Sequence, residues 1–207
     1  MNLCQILLTV VAVILTQNSK TNDFNYNYTD PNYGHELGRH RIYYRVDWGG
    51  KPPKLGTKLL EHPVSLVIIS HTLTLPCLSN VTCSSILRTI QTKHFAKPFL
   101  SADIGYNFLI GRDGGIYVGR GWDVRNFHRK ISIGISFIGN FNFDEVNEEM
   151  IEAAEALIGQ GLELRKISEN YALVGENQTD PKMVISPGVN VYKVIRTWPR
   201  FYPKTMF

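Results

Sequence analysis

Three groups of residues in this chain could do chemistry. Ser70-His71-Thr72 closes an apolar run, Tyr106-Asn107 opens another, and Glu176 and Ser186 stand near the C-terminal end. Glu176, His71 and Tyr106 supply a carboxylate, an imidazole and a phenol; carboxylate and imidazole both bind zinc, so a metal site can be drawn from them. A set this rich in oxygen holds zinc weakly. The plainer expectation makes His71 a polar wall residue and Tyr106 a half-buried aromatic whose hydroxyl finds a local partner.

Other groups bear on compartment and modification. The first charged residue is Lys20, and Ile6 to Leu15 is apolar except for Thr9. That stretch has the length of a signal-peptide core and is too short to span a bilayer, so residues 1–19 read as a signal peptide and the protein as secreted and extracellular. The alternative is a buried N-terminal strand or helix. With Cys4 in the leader, Cys77 and Cys83 remain to close a short disulfide loop in an oxidising compartment; two unpaired small apolar side chains are the alternative. Asn27, Asn80 and Asn177 each begin an Asn-x-Thr acceptor tripeptide for glycosylation. Asn177 follows Glu176 directly, so a glycan there is expected to obstruct a site built around Glu176.

The elements that must position these groups follow from composition and periodicity. The chain has 207 residues, 43% apolar and 19% charged, enough to bury a core, and its net charge is +4. No concentrated basic run exists, which argues against a nucleic-acid partner. Residues 20–41 are rich in Asn, Tyr and Asp and read as a flexible arm, with the folded domain at 42–207. Trp48 is a large anchor in the turn-rich Asp47 to Pro53 segment. Val64 to Ile69 predicts a strand buried on both faces. Ile86, Leu87, Ile90 and His94 share a helical period, predicting a helix to about Phe95 with Thr82 as N-cap. Tyr106 to Ile110 and Ile116 to Val118 flank an Asp-Gly-Gly tip and predict a hairpin. Ile131 to Ile138 alternates large and small residues as a strand. Asn147 is an N-cap for a long helix with the stripe Ile151, Ala154, Ile158 and Leu162. Ala172 to Val174 is a short strand, and Gly188 to Arg196 a last helix entered through Pro187. This pattern is α/β, with a central mixed β-sheet covered by helices.

The runs Asp103 to Gly111 and Asp113 to Trp122, with Ser70-His71-Thr72, Cys77 to Cys83, Ile133 to Phe141 and Ser186-Pro187-Gly188, resemble the peptidoglycan recognition protein family across about Ile42 to Phe207. The resemblance implies the fold of zinc-dependent N-acetylmuramoyl-L-alanine amidases, with a groove for the muramyl peptide. Catalytic members hold zinc with two His and one Cys. The matching positions here are Ser70, Glu176 and Ser186, and Val184 replaces a polar accessory group. The resemblance therefore implies a member without zinc, cofactor or amidase activity.

The groove also departs from the family pattern. Ser101 stands where a Trp is usual, and Asp123 to Lys130 is shortened and lacks the Gly-Ala-His segment. The expected ligand-binding residues are His71, Thr72, Tyr106, Asn107 and Arg129, the last near where a family Arg pairs with the carboxylate of a diaminopimelate stem. The expected function is a secreted innate-immune pattern-recognition receptor for bacterial peptidoglycan or muropeptide. The alternative is a decoy or modulator that contacts another peptidoglycan recognition protein.

Overall fold

The computed structural model describes residues 34–206 except 55, 100, 129–130, 181 and 183–184. The leader, the arm up to residue 33, Asn27, Arg129 and Val184 lie outside the described residues. A seven-stranded mixed sheet runs in the order β1-β2-β5-β4-β6-β3-β7, where β1 is Glu36–Leu37, β2 His40–Tyr43, β3 Val64–His71, β4 Phe108–Ile110, β5 Ile116–Val118, β6 Ile133–Phe137 and β7 Ile167–Gly175. β4, β6, β3 and β7 are mutually parallel, and β5 turns back antiparallel on β4. The helices are α1 Arg45–Trp48, α2 Asn80–Phe95, α3 Glu148–Glu163 and α4 Val189–Ile195.

Strand alternation divides the sheet into two faces. Val67, Ile69, Phe108, Ile110, Ile133, Ile135 and Phe137 pack against Met150, Ala154 and Leu157 of α3 and against Val191 and Ile195 of α4. On the opposite face Leu109, Tyr117 and Ile138 pack against Leu87 and Ile90 of α2 and against Trp48, which is fully buried as the predicted anchor. Leu66, Ile68 and Val174 share that second face at its far edge. No helix among the described residues is long and apolar enough to cross a membrane.

The structure adjusts several sequence expectations. The sheet begins inside the segment expected to be an arm: Glu36–Leu37 pairs with His40–Arg41 across a tight turn at Gly38, whose φ is 58°. Pairing with a distant partner, β5, fixes β2 there, which local polarity does not announce. The N-cap of α2 is Ser79 rather than Thr82; Ser79 Oγ accepts from the Thr82 backbone N–H, and Thr82 bonds back to the Ser79 N–H. In α3, Asn147 caps as expected, accepting from Met150 N–H at 3.2 Å, but the buried stripe is Met150, Ala153, Ala154, Leu157, Ile158 and Gly161. Ile151 and Leu162 sit at its margin. β6 is Ile133–Phe137, and Ile131 remains 46% exposed outside it. β7 is longer than the predicted Ala172 to Val174 because Ile167 already pairs with Val64 of β3, with a register shift before Ala172 to Gly175 pair along the rest of that strand. The Cys77–Cys83 disulfide is formed.

A buried ion pair ties the two ends of the second face together. Arg45 donates to both carboxylate oxygens of Asp103, at 2.9 and 2.6 Å, with 5% and 0% of the two side chains exposed. Gln91 of α2 and the Ile104 N–H also donate to Asp103, and Arg45 reaches the Gly119 carbonyl. Removing one partner strands the other charge, so Asp103→Asn is expected to cost about 3–5 kcal/mol. The double replacement Arg45→Met/Asp103→Leu should cost less than that. Urea denaturation of the three proteins checks both, and a double variant as unstable as Asp103→Asn would refute the argument.

Candidate functional site

The site is built by the C-terminal ends of β6, β3 and β7. Ile69 faces α3 and α4, so the next residue, Ser70, emerges on the opposite face, directly across from Ser136 of β6. Ile69 is also in register with Gly175 of β7. A Cβ on Gly175 would stand 2.4 Å from the Tyr192 hydroxyl, so glycine is required for α4 to pack there. One position further, Glu176 turns onto the Ser70 face and the chain enters a 3-10 turn, Glu176–Gln178. Ser186 is drawn back to the same place, where its carbonyl accepts from Asn177 N–H and its hydroxyl from His71 N–H at 3.3 Å. Ser70, Glu176 and Ser186 thus converge, all under 6% exposed.

Sequence reasoning missed a further member, His128. Its ring lies over Gly134 of β6, where a Cβ would approach it to 3.2 Å, and its Nδ1 is 3.5 Å from Glu176 Oε1. The loop that carries it is held by Asn126, which donates to Asn107 and Ser132 and accepts from His128 N–H. The signal was present in Asn126-Phe127-His128, a histidine inside the shortened segment. Phe127 stacks on His128 and meets Tyr106 edge-on at 5.4 Å, while His94 tilts against both Tyr106 and Phe127. Phe99, 62% exposed, stands edge-on to His94 and puts an aromatic ring on the surface near Ser101, whose hydroxyl accepts from Arg120.

Burial sets the ionisation of this cluster. It pushes the Glu176 carboxyl upward, with Asp180 adding to the shift and the Ser186 hydroxyl opposing it. It lowers His128 to about 4, helped by the Arg120 charge. Burial and the neighbouring Glu176 raise the Tyr106 phenol above its ordinary value. All three groups lean to their neutral forms. Ser70 Oγ and His128 Nε2 are buried and find no hydrogen-bond partner among the described residues.

The same donor set can be tested against a zinc ion. Zinc in such sites takes deprotonated thiolate, imidazole or carboxylate. Ser70 and Ser186 offer neutral hydroxyls, and Glu176 is in surroundings that favour its proton. Among the described residues no three His, Cys, Asp or Glu side chains converge to hold a metal. These residues do not fit a zinc ion.

The predicted groove residues separate. Tyr106 joins the cluster. His71 does not: alternation along β3 turns it to the other face, where its Nδ1 accepts from Phe141 N–H at 3.1 Å and its ring lies near Phe141. Asn107 is 0% exposed, and its amide is fully engaged, donating to the Gly121 and Val124 carbonyls and accepting from Asn126 and Gly134 N–H. It is a structural tie rather than a ligand contact. Thr72 is half-buried, and its hydroxyl accepts from Gly139 N–H and bonds Thr74. Asn80 is exposed at the start of α2. Asn177 points toward α4, where Tyr192 donates to its Oδ1, so a sugar there would not fill the Ser70 face.

Residues 60–188 match the family model described as N-acetylmuramoyl-L-alanine amidase. The chain is 41% identical over 175 residues to a peptidoglycan-recognition protein of Drosophila simulans, covering 83% of this chain and 94% of that one. It is similar to a solved chain in the complex of tracheal cytotoxin with the ectodomains of peptidoglycan recognition proteins LCa and LCx, at 39% identity and a TM-score of 0.72, covering 78% of this chain and 98% of that one. The Drosophila peptidoglycan recognition protein SD structure matches at 33% identity and a TM-score of 0.76, covering 81% and 99% of the two chains.

The buried imidazoles carry a pH signature. His71, His94 and His128 are each lowered to about 4 by burial. The unfolded chain therefore binds more protons between about pH 6.5 and 4, and stability falls as pH drops through that window, by up to about 1.4 kcal/mol per pH unit for each histidine. Glu176, raised by burial, works in the opposite sense. Urea midpoints should fall from pH 7 to pH 5, and His94→Gln should flatten the slope. A midpoint independent of pH would refute the burial of neutral histidines.

Proposed function

The chain belongs to the peptidoglycan recognition proteins, and from that premise we propose that it is a secreted, non-hydrolytic receptor for bacterial muropeptides that acts in innate immunity. The observation that carries the reading is the convergence of Ser70, Glu176 and Ser186 on one face of the sheet. Without thiolate or paired imidazoles nothing there would hold a zinc ion or generate a metal-bound nucleophile. The nearest alternative base, His128, is depressed to about 4 by burial, and the Glu176 beside it favours its protonated form. Hydrolysis therefore lacks both an electrophile and an activated water, whereas binding needs neither.

The binding surface we assign is the aromatic wall of Tyr106, Phe127 and exposed Phe99, together with half-buried Thr72. A relative in the LCa and LCx complex binds tracheal cytotoxin, a muropeptide, and that ligand class is taken over here. Arg129 remains the candidate for the stem carboxylate, where a guanidinium can bind bidentately. A second reading is a modulator that contacts another family member. It is favoured by His71 and Asn107, two expected ligand contacts that the structure uses internally.

Calorimetric titration of the secreted protein in chelator with diaminopimelate-type and lysine-type muropeptides tests both. Saturable heat without release of stem peptide is expected; zinc-dependent release would overturn the reading, and no heat with either ligand would favour the modulator. The chemistry of the three positions has its own test. Native protein should take up no stoichiometric zinc, whereas Ser70→His/Glu176→His/Ser186→Cys should bind one ion tightly enough to survive gel filtration. Stoichiometric zinc in the native protein would refute the assignment.

A further inference from the structure

A cleft of about 830 Å³ opens on the α4 side of the 3-10 turn, where Asn142, Asn177, Ile185, Val189, Tyr192 and Phe201 line it. It lies away from the Ser70 face, because Tyr192 packs under Gly175 while Glu176 turns to the other side. Its chemistry is mixed in a particular way. Tyr192 and Phe201 meet at 6.4 Å as an aromatic corner, with the Arg196 guanidinium lying over one face of the Tyr192 ring; amide groups and the Lys193 ammonium stand beside it as hydrogen-bonding groups, and no acidic side chain is among the described residues that line it. Ile185 and Val189 are 55% and 54% exposed there. Apolar and aromatic surface interleaved with amides suits a saccharide, whose C–H faces pack on rings and whose hydroxyls bond amides.

One residue of the lining names the occupant. Asn177 begins Asn177-Gln178-Thr179, and its Oδ1 accepts from the Tyr192 hydroxyl, so the amide is oriented on the cleft wall with Nδ2 as its other arm. We infer that Asn177 carries an N-linked glycan whose first sugars lie in this cleft against Tyr192 and cover Ile185 and Val189. The inference rests on the secreted reading given above. In the covalent step Nδ2 of the unfolded chain bonds to the anomeric carbon of a polyprenyl-diphosphate-linked oligosaccharide. The carbon–oxygen bond to the diphosphate breaks, the diphosphate leaves with the electron pair, and the amide proton passes to a base of the transferase. Folding then seats the sugar. The glycan lies away from the Ser70 face.

The test is made on full-length protein expressed in insect cells. Glycopeptide mapping should find Asn177 occupied. An endoglycosidase should release that sugar from folded protein about tenfold more slowly than from unfolded protein, since release must await local opening. Tyr192→Ala should leave occupancy unchanged, because transfer precedes folding, and speed release from the folded state. Bare Asn177 in protein recovered from the medium would overturn the inference, as would release equally fast from folded and unfolded protein. A chain retained in the cell with every acceptor bare would instead overturn the secretion on which it rests.

Discussion

The alternation of side chains along β3 is the constraint on which the rest of this molecule depends. The strand is held on both sides, by β6 and β7, so its register cannot slip without turning every residue to the wrong face. Ile69 is committed to the α3 and α4 core, and that single commitment places Ser70 on one face and His71 on the other. Glu176 follows by the same logic from Gly175, and Ser136 from Ile135. The placement of the candidate site is therefore a consequence of core packing.

Two buried polar systems bring the loops to that face. Asp103, fixed by Arg45 and Gln91, anchors the start of the chain that leads to Tyr106. Asn107 then satisfies four backbone and side-chain groups at once, joining β4, β6 and the Gly121 to Asn126 loop. Burying such groups is tolerable because each is paired. Their consequence is positional: Phe127 is delivered against Gly105 and His128 over Gly134, where glycine leaves room for each ring.

The chemistry of the cluster differs from that of a metal centre in kind. The cluster consists of two hydroxyls, a carboxyl group whose burial favours its protonated form and an imidazole whose burial favours its neutral form. The sheet does not need a metal ion, since its two apolar layers form without any ligand from this face. The fold therefore does not rest on a metal at this face, where Ser70, Glu176 and Ser186 form a buried polar cluster beside aromatic rings.

Much of this was legible in the sequence. The apolar run of β3, the Asp-Gly-Gly hairpin and the Asn147 cap follow from local pattern, because turn chemistry and periodicity act within a few residues, whereas Ser70, Glu176 and Ser186 were marked by the family resemblance alone. The tertiary structure decided the rest. It turned His71 away from the site, engaged Asn107 internally, brought His128 in, extended the sheet to Glu36 and aimed Asn177 at α4. Each of these depends on pairing between residues far apart in the chain, as when Ile69 meets Gly175 or Asn107 meets Asn126. Local periodicity fixes that a strand has two faces; only the partners across the sheet decide which face is the core.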